Sequence, residues 1–218
     1  MSNKHFKIEQ VYPKIFLFKF KDDYQMAMHF LRYQEFYESP NPKFRNHAFK
    51  LLDFMEWYVK KDHQRVFSYP NDWAGYNFPG NNIKRVISAG IPDPNHYDAA
   101  MQEAYQQCIE LAQSEDFYII GSAAGDKFTL RHEIAHGLYY LDRTYKKEMN
   151  NLIKEIPNSA IKQMNEVLKK MGYTSAVFKD EIQAYLSTGF EDNDDIFHSD
   201  IAQYADKFVD AFKKYYKK

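Results

Sequence analysis

Residues 132–136 read His132-Glu133-Ile134-Ala135-His136, and the spacing has a chemical meaning only if the segment is helical. On a helix, side chains four apart lie one above the other on the same face, so both imidazoles can reach a single metal ion. Glu133 follows His132 by one position, too far around the axis for a comfortable ligand. It is well placed to hold a water in the ion's open position and to take its proton. The pentapeptide therefore predicts a helix, two ligands and a general base. At ordinary residue frequencies, a chain of this size contains the pattern by chance on the order of one time in a hundred.

The flanking sequence supports the helix. Asp116-Phe-Tyr-Ile-Ile-Gly121 is a short aromatic and β-branched run, the mark of a buried strand. Ser122-Ala-Ala-Gly-Asp126 reads as a loop, with Asp126 or Thr129 able to cap the helix that begins there. Leu130, Ile134, Leu138 and Leu141 then recur at spacings of four, four and three, an apolar stripe on a face that does not include His132, Glu133 or His136.

A catalytic metal normally takes three protein ligands and keeps one position open. One extended form of the motif is HExxHxxGxxH, but here Tyr139 stands in place of the glycine and Asp142 in place of the last ligand. On an uninterrupted helix Asp142 falls about 240° around from His136, facing away from the ion, and Gly137 comes too early to turn the chain. Asp142 is expected to be a solvated residue beside Arg143. The better candidate lies in Phe178-Lys-Asp-Glu-Ile-Gln-Ala-Tyr-Leu186, an amphipathic helix with Phe178, Ile182, Tyr185 and Leu186 on its apolar side. Glu181 borders that side, where an unpaired charge is costly and a metal would remove the cost. Its rival Asp180 is about 100° away and is expected to point further toward solvent.

His132-Glu-Ile-Ala-His136, followed 45 residues later by Glu181-Ile-Gln-Ala184-Tyr185, resembles the zincin metallopeptidases of the gluzincin type, whose third ligand is a glutamate on a downstream helix. The resemblance covers roughly residues 116 to 190. It implies Zn2+ held by His132, His136 and Glu181, a sheet whose edge strand lies near the active helix, and peptide-bond hydrolysis by a metal-activated water with Glu133 as base. An aspartate four residues beyond the third ligand orients a histidine in well-known members. Tyr185 occupies that position here, which leaves the orienting role unassigned. Such enzymes also stabilise the oxyanion of the tetrahedral intermediate. His198 is the candidate, with Tyr185 and Tyr140 as alternatives. Residues 1–115 match no named family and would carry substrate specificity.

Bulk properties narrow the function classes. Lys and Arg total 29 against 30 Asp and Glu in 218 residues, so nothing marks a dedicated nucleic-acid binder. The terminal Lys213-Lys-Tyr-Tyr-Lys-Lys218 is read as a solvated basic tail. No apolar stretch reaches the length of a membrane span, and the first residues lack the apolar centre of a signal peptide, which predicts a cytoplasmic protein. The single Cys108 cannot form an internal disulfide and reads as a buried thiol. Glu191-Asp-Asn-Asp-Asp195 fails as a calcium loop because Ile196 and Phe197 stand where a ligand and the turn glycine belong.

Lys14–Phe20, Lys84–Ser88 and residues 116–121 read as strands, and helical patterns occupy 24–37, 43–60, 97–114, 128–143, 145–155, 159–171, 177–187 and 199–215. The expectation is a helix-rich α+β, zincin-like fold with a small mixed sheet packed against the active helix. It forms a single domain over 1–218, with lobes 1–127 and 128–218 as a subdivision. Ser68–Gly80 reads as a long turn-rich loop, either lining a cleft with its aromatics or pinned to the core by Trp73. The expected function is a zinc metallopeptidase acting on a peptide or protein substrate, with neither nucleic acid nor membrane as partner. The alternatives are a zincin-like binding module with a structural or lost zinc, and a zinc hydrolase of a non-peptide substrate.

Overall fold

A computed structural model describes residues 5–61, 66–123, 125–189 and 199–217, leaving His198 and the acidic stretch 191–195 outside the described residues. The fold is α+β, and the chain divides into two compact units, Met1–Thr129 and Leu130–Lys218.

The first unit is built on a four-stranded mixed sheet. Strands β1 (Phe6–Tyr12) and β2 (Ile15–Phe20) form an antiparallel hairpin, with Ile8 opposite Phe18. Helices α1 (Asp23–Glu38), α2 (Leu51–Lys61) and the short α3 (Tyr69–Asp72) come before β3 (Gly75–Pro79). Helices α4 (Asn81–Ala89) and α5 (His96–Ala112) then lead to β4 (Tyr118–Ala123). The order across the sheet is β1-β2-β4-β3. β2 and β4 pair in parallel and β3 pairs antiparallel to β4. A parallel pair needs a crossover, and everything from α1 to α5 lies within it.

Several sequence expectations change here. Lys84–Ser88 is helical: Asn82, Ile83 and Val86 are buried while Ile87 is 41% exposed, a three-residue spacing that outweighs the β-branched Val-Ile pair. Strand β1 is not among the expected elements, although Phe6 and Ile8 alternate with Lys7 and Glu9. Within the turn-rich Ser68–Gly80, α3 and β3 form, and Tyr69, Tyr76 and Phe78 are buried beside a partly buried Trp73. The helix expected over 43–60 begins only at Leu51, because its first free amide is satisfied by the Asp93 carboxylate 2.9 Å away, a partner remote in sequence.

Helix α1 packs against β2, β3 and β4 and is buried almost all round, from Met26 to Phe36. Gly121 of β4 lets α1 approach closely, since a Cβ there would lie 2.7 Å from the Phe30 ring. Burial on every face forces polar groups inside, and each must be compensated. The Arg32 guanidinium donates to Asp98 and Asp93 at 2.9 Å each and to the Phe49 carbonyl. Asp98 also closes the capping box of α5 with Asn95. One buried cation thus ties α1 to the N-terminal ends of α2 and α5.

Among the described residues Glu35 forms no such close ion pair, and Lys61 acts on it only weakly. Burial pushes its carboxyl up from the usual 4.5 to about 7, with the Ser39 and Tyr69 hydroxyls partly offsetting the effect.

The second unit contains α6 (Lys127–Leu141) from Leu130 onward, α7 (Arg143–Glu155), α8 (Asn158–Lys170), α9 (Phe178–Thr188), the single-turn α10 (Ser199–Ala202) and α11 (Ala205–Tyr216). The helix expected over 199–215 is therefore broken at 203–204. Helix α9 packs against α7, α8 and α11 with Ile182, Ala184 and Leu186 buried. Among the described residues no helix is long and apolar enough to cross a membrane.

Arg32→Met should destabilise the protein by about 3–5 kcal/mol in chemical denaturation, because it strands the buried Asp98 carboxylate without its cation. The native state holds the Glu35 proton between pH 4.5 and about 7 where the unfolded chain has released it. The stability due to this proton is full below 4.5 and lost as pH rises through 7, a fall of about 3 kcal/mol. Glu35→Gln should flatten that part of the stability–pH curve, leaving the variant more stable than the parent at pH 8 and similar to it at pH 4.5.

Candidate metal centre

Helix α6 runs unbroken from Lys127 through Gly137 to Leu141, which puts His132 and His136 one turn apart on the same face. Its start is set by Asp126, whose carboxylate accepts the Thr129 amide at 2.9 Å. Ile134 and Leu138 are buried and Leu130 and Leu141 half-buried, as expected of the apolar stripe.

Asp142 begins the next helix. Its carboxylate accepts the Thr144 and Tyr145 amides at 2.8 and 3.0 Å, so the residue at the last position of the extended motif is an N-cap. Tyr139, at the glycine position, is buried; its hydroxyl donates to Asn150 at 3.0 Å and the Lys146 ammonium lies over its ring.

Across from α6, the first turn of α9 presents Asp180 and Glu181. Glu181 is 4% exposed and its carboxylate spans both imidazoles, with Oε2 3.7 Å from His132 Nε2 and Oε1 3.7 Å from His136 Nε2. The two Nε2 atoms are 3.2 Å apart. Tetrahedral zinc with bonds of about 2.0–2.1 Å spaces its ligands about 3.3 Å apart, so these three side chains need little adjustment to close on one ion. His132, His136 and Glu181 are the one group among the described residues whose donor atoms converge in this way, all within 4.8 Å of each other.

Charge and hydrogen bonding favour a cation here. Among the described residues Glu181 Oε2 is buried without a hydrogen-bond partner, a costly state for a carboxylate oxygen. Burial alone would lower the His136 pKa, but the carboxylates of Asp180, Glu181 and Glu133 outweigh it and raise it to about 10. The same field that holds a proton on the imidazole would hold a divalent ion, and the two compete. Two imidazole nitrogens and a carboxylate are the donor set that zinc accepts, so the residues present fit that ion.

Asp180 plays a part that periodicity does not assign. Its side chain is 26% exposed against 5% for Glu181, in keeping with the expected tilt toward solvent, yet its Oδ1 accepts a hydrogen bond from His136 Nδ1 at 2.8 Å. That bond makes Nε2 the nitrogen that faces Glu181 and His132. The only signal for it in the sequence is a second carboxylate beside the ligand in the first turn of α9.

Glu133 is 5% exposed on the helix between the two histidines. Of the residues considered for an oxyanion role, Tyr185 sets its ring beside His132 with centroids 4.5 Å apart, Tyr140 is exposed at 37%, and His198 lies outside the described residues. No family model, curated protein or solved structure matches this chain.

Proposed function

We propose that the chain is a zinc-dependent metallopeptidase of zincin type, with His132, His136 and Glu181 as ligands and Glu133 as general base. The observation that carries this reading is the buried convergence of those three donor groups on a helix pair that also presents Glu133. Zinc held there would supply the Lewis acidity that makes a water acidic near neutral pH and polarises a substrate carbonyl.

The protein's own residues supply the rest. Glu133 takes the proton of the attacking water as the new C–O bond forms and delivers it to the amide nitrogen as the C–N bond breaks. Asp180 holds the His136 ring in place, and Glu181 would be the anionic ligand that offsets part of a bound ion's charge. The reading includes an intracellular setting, in keeping with a sequence whose one cysteine, Cys108, offers no internal disulfide.

A second reading takes support from the same burial: with His132, Glu133, His136 and Glu181 all buried, the centre also suits a binding protein with a structural ion. Glu133 separates the two, since a structural ion needs no base and prefers a closed fourth position.

Purified protein should contain about one equivalent of zinc by elemental analysis. Glu133→Ala should keep the metal and slow hydrolysis of an unfolded protein such as casein by about 10²–10⁴-fold. Glu181→Ala should lose most of the zinc under the same dialysis. Wild-type protein without stoichiometric metal would overturn the reading, and full metal occupancy with equal activity in Glu133→Ala would overturn the role given to Glu133.

A further inference from the structure

The Asp180 carboxylate that fixes His136 is itself held from behind. Gln183, one turn further along α9, is fully buried, and its amide nitrogen donates to Asp180 Oδ1 at 3.0 Å and to the carbonyl of Ala135 on α6 at 3.3 Å. Its amide oxygen accepts the hydroxyl of Tyr145, from α7, at 2.8 Å. Tyr145 is also fully buried, so its proton has no water to go to.

These bonds define which way the amide faces. Turned over, Gln183 would set its oxygen against a carboxylate and a carbonyl and its NH2 against a hydroxyl whose other neighbour is Ser187 Oγ at 3.5 Å. The network therefore has one arrangement in which every donor meets an acceptor. Asp180 needs the restraint. It lies in the first turn of α9 with its side chain 26% exposed, and a partly exposed carboxylate left with a single bond to an imidazole can swing toward water.

We infer that Gln183, backed by Tyr145, is a positioning residue: it clamps Asp180 onto His136 Nδ1 and so holds His136 Nε2 toward Glu181 and His132. The inference deepens the metallopeptidase reading and rests on it for its consequence, zinc affinity. Its geometry belongs to the protein without the ion. The helix pair is joined at the same point, because the one amide bonds both Asp180 on α9 and Ala135 on α6.

The test uses full-length protein in two states. In the metal-free protein, the His136 Nδ1 proton should give a downfield imide resonance in long-range nitrogen–proton spectra, protected from exchange with water. Asp180→Asn should abolish it. Gln183→Met, close in volume, should broaden it through faster exchange, and Tyr145→Phe should do so to a smaller degree. In zinc titrations against a chromophoric chelator, Asp180→Asn should weaken binding by about 10–100-fold, Gln183→Met by about 10-fold and Tyr145→Phe by a few-fold.

Urea melts separate positioning from simple destabilisation: a variant that loses stability while keeping the protected resonance and the wild-type affinity overturns the inference. If Gln183→Met does not fold, Tyr145→Phe carries the same comparison. Should wild-type protein bind no zinc, the metallopeptidase reading fails, while the protected resonance and its loss in the variants still decide the positioning role by themselves.

Discussion

The second unit depends on an electrostatic problem and its solution. Three carboxylates, Glu133, Asp180 and Glu181, meet two imidazoles where α6 faces α9, and nearly all of this is out of water. Such a cluster is tolerable only if a cation neutralises it and each oxygen finds a partner. A proton on His136 meets part of the requirement, which explains the upward shift of its pKa, and a divalent ion meets more of it.

The first unit handles the same physics by other means. Helix α1 is buried on nearly every face, and its Arg32 is enclosed by Asp93, Asp98 and a backbone carbonyl. In this case the buried charge is internal and permanent, and it organises two other helix ends. Glu35, on the same helix, forms no close ion pair among the described residues, and burial raises its pKa against the weaker pull of Lys61. Among the described residues Arg32 is paired within the fold, whereas the His132–His136–Glu181 group keeps a Glu181 oxygen without a hydrogen-bond partner.

Much of the candidate site was legible in the sequence because it rests on local spacing. His132, Glu133 and His136 are related by helical geometry alone, and Glu181 stood out as a carboxylate at the edge of an apolar stripe. Asp180, Gln183 and Tyr145 were not legible as a unit. Their roles depend on which face of α9 meets α6 and α7, and sequence periodicity gives the apolar face of a helix but not its neighbour's azimuth. The errors in the first unit have the same source. Residues 84–88 carry β-branched side chains whose helical spacing emerges only with Asn82 and Ile83, and α2 starts at Leu51 because Asp93, 42 residues away, caps it. Strand β3 sits among glycines, prolines and asparagines, and it forms because β4 offers a free edge for Tyr76 and Phe78.

By itself, then, the sequence determined an α+β chain rich in helix, a helix bearing two imidazoles and a carboxylate at metal-binding spacing, and a second carboxylate suited to join them. Periodicities of two and 3.6 and the cost of burying charge are local rules, so they can be read from a string of residues. The tertiary structure decided that Asp142 is a cap, that Asp180 orients His136 and that Gln183 secures Asp180. Each of these is a hydrogen bond whose worth depends on distances of a few ångströms; the bond from His136 to Asp180 and that from Gln183 to the Ala135 carbonyl run between helices that only the folded chain brings together.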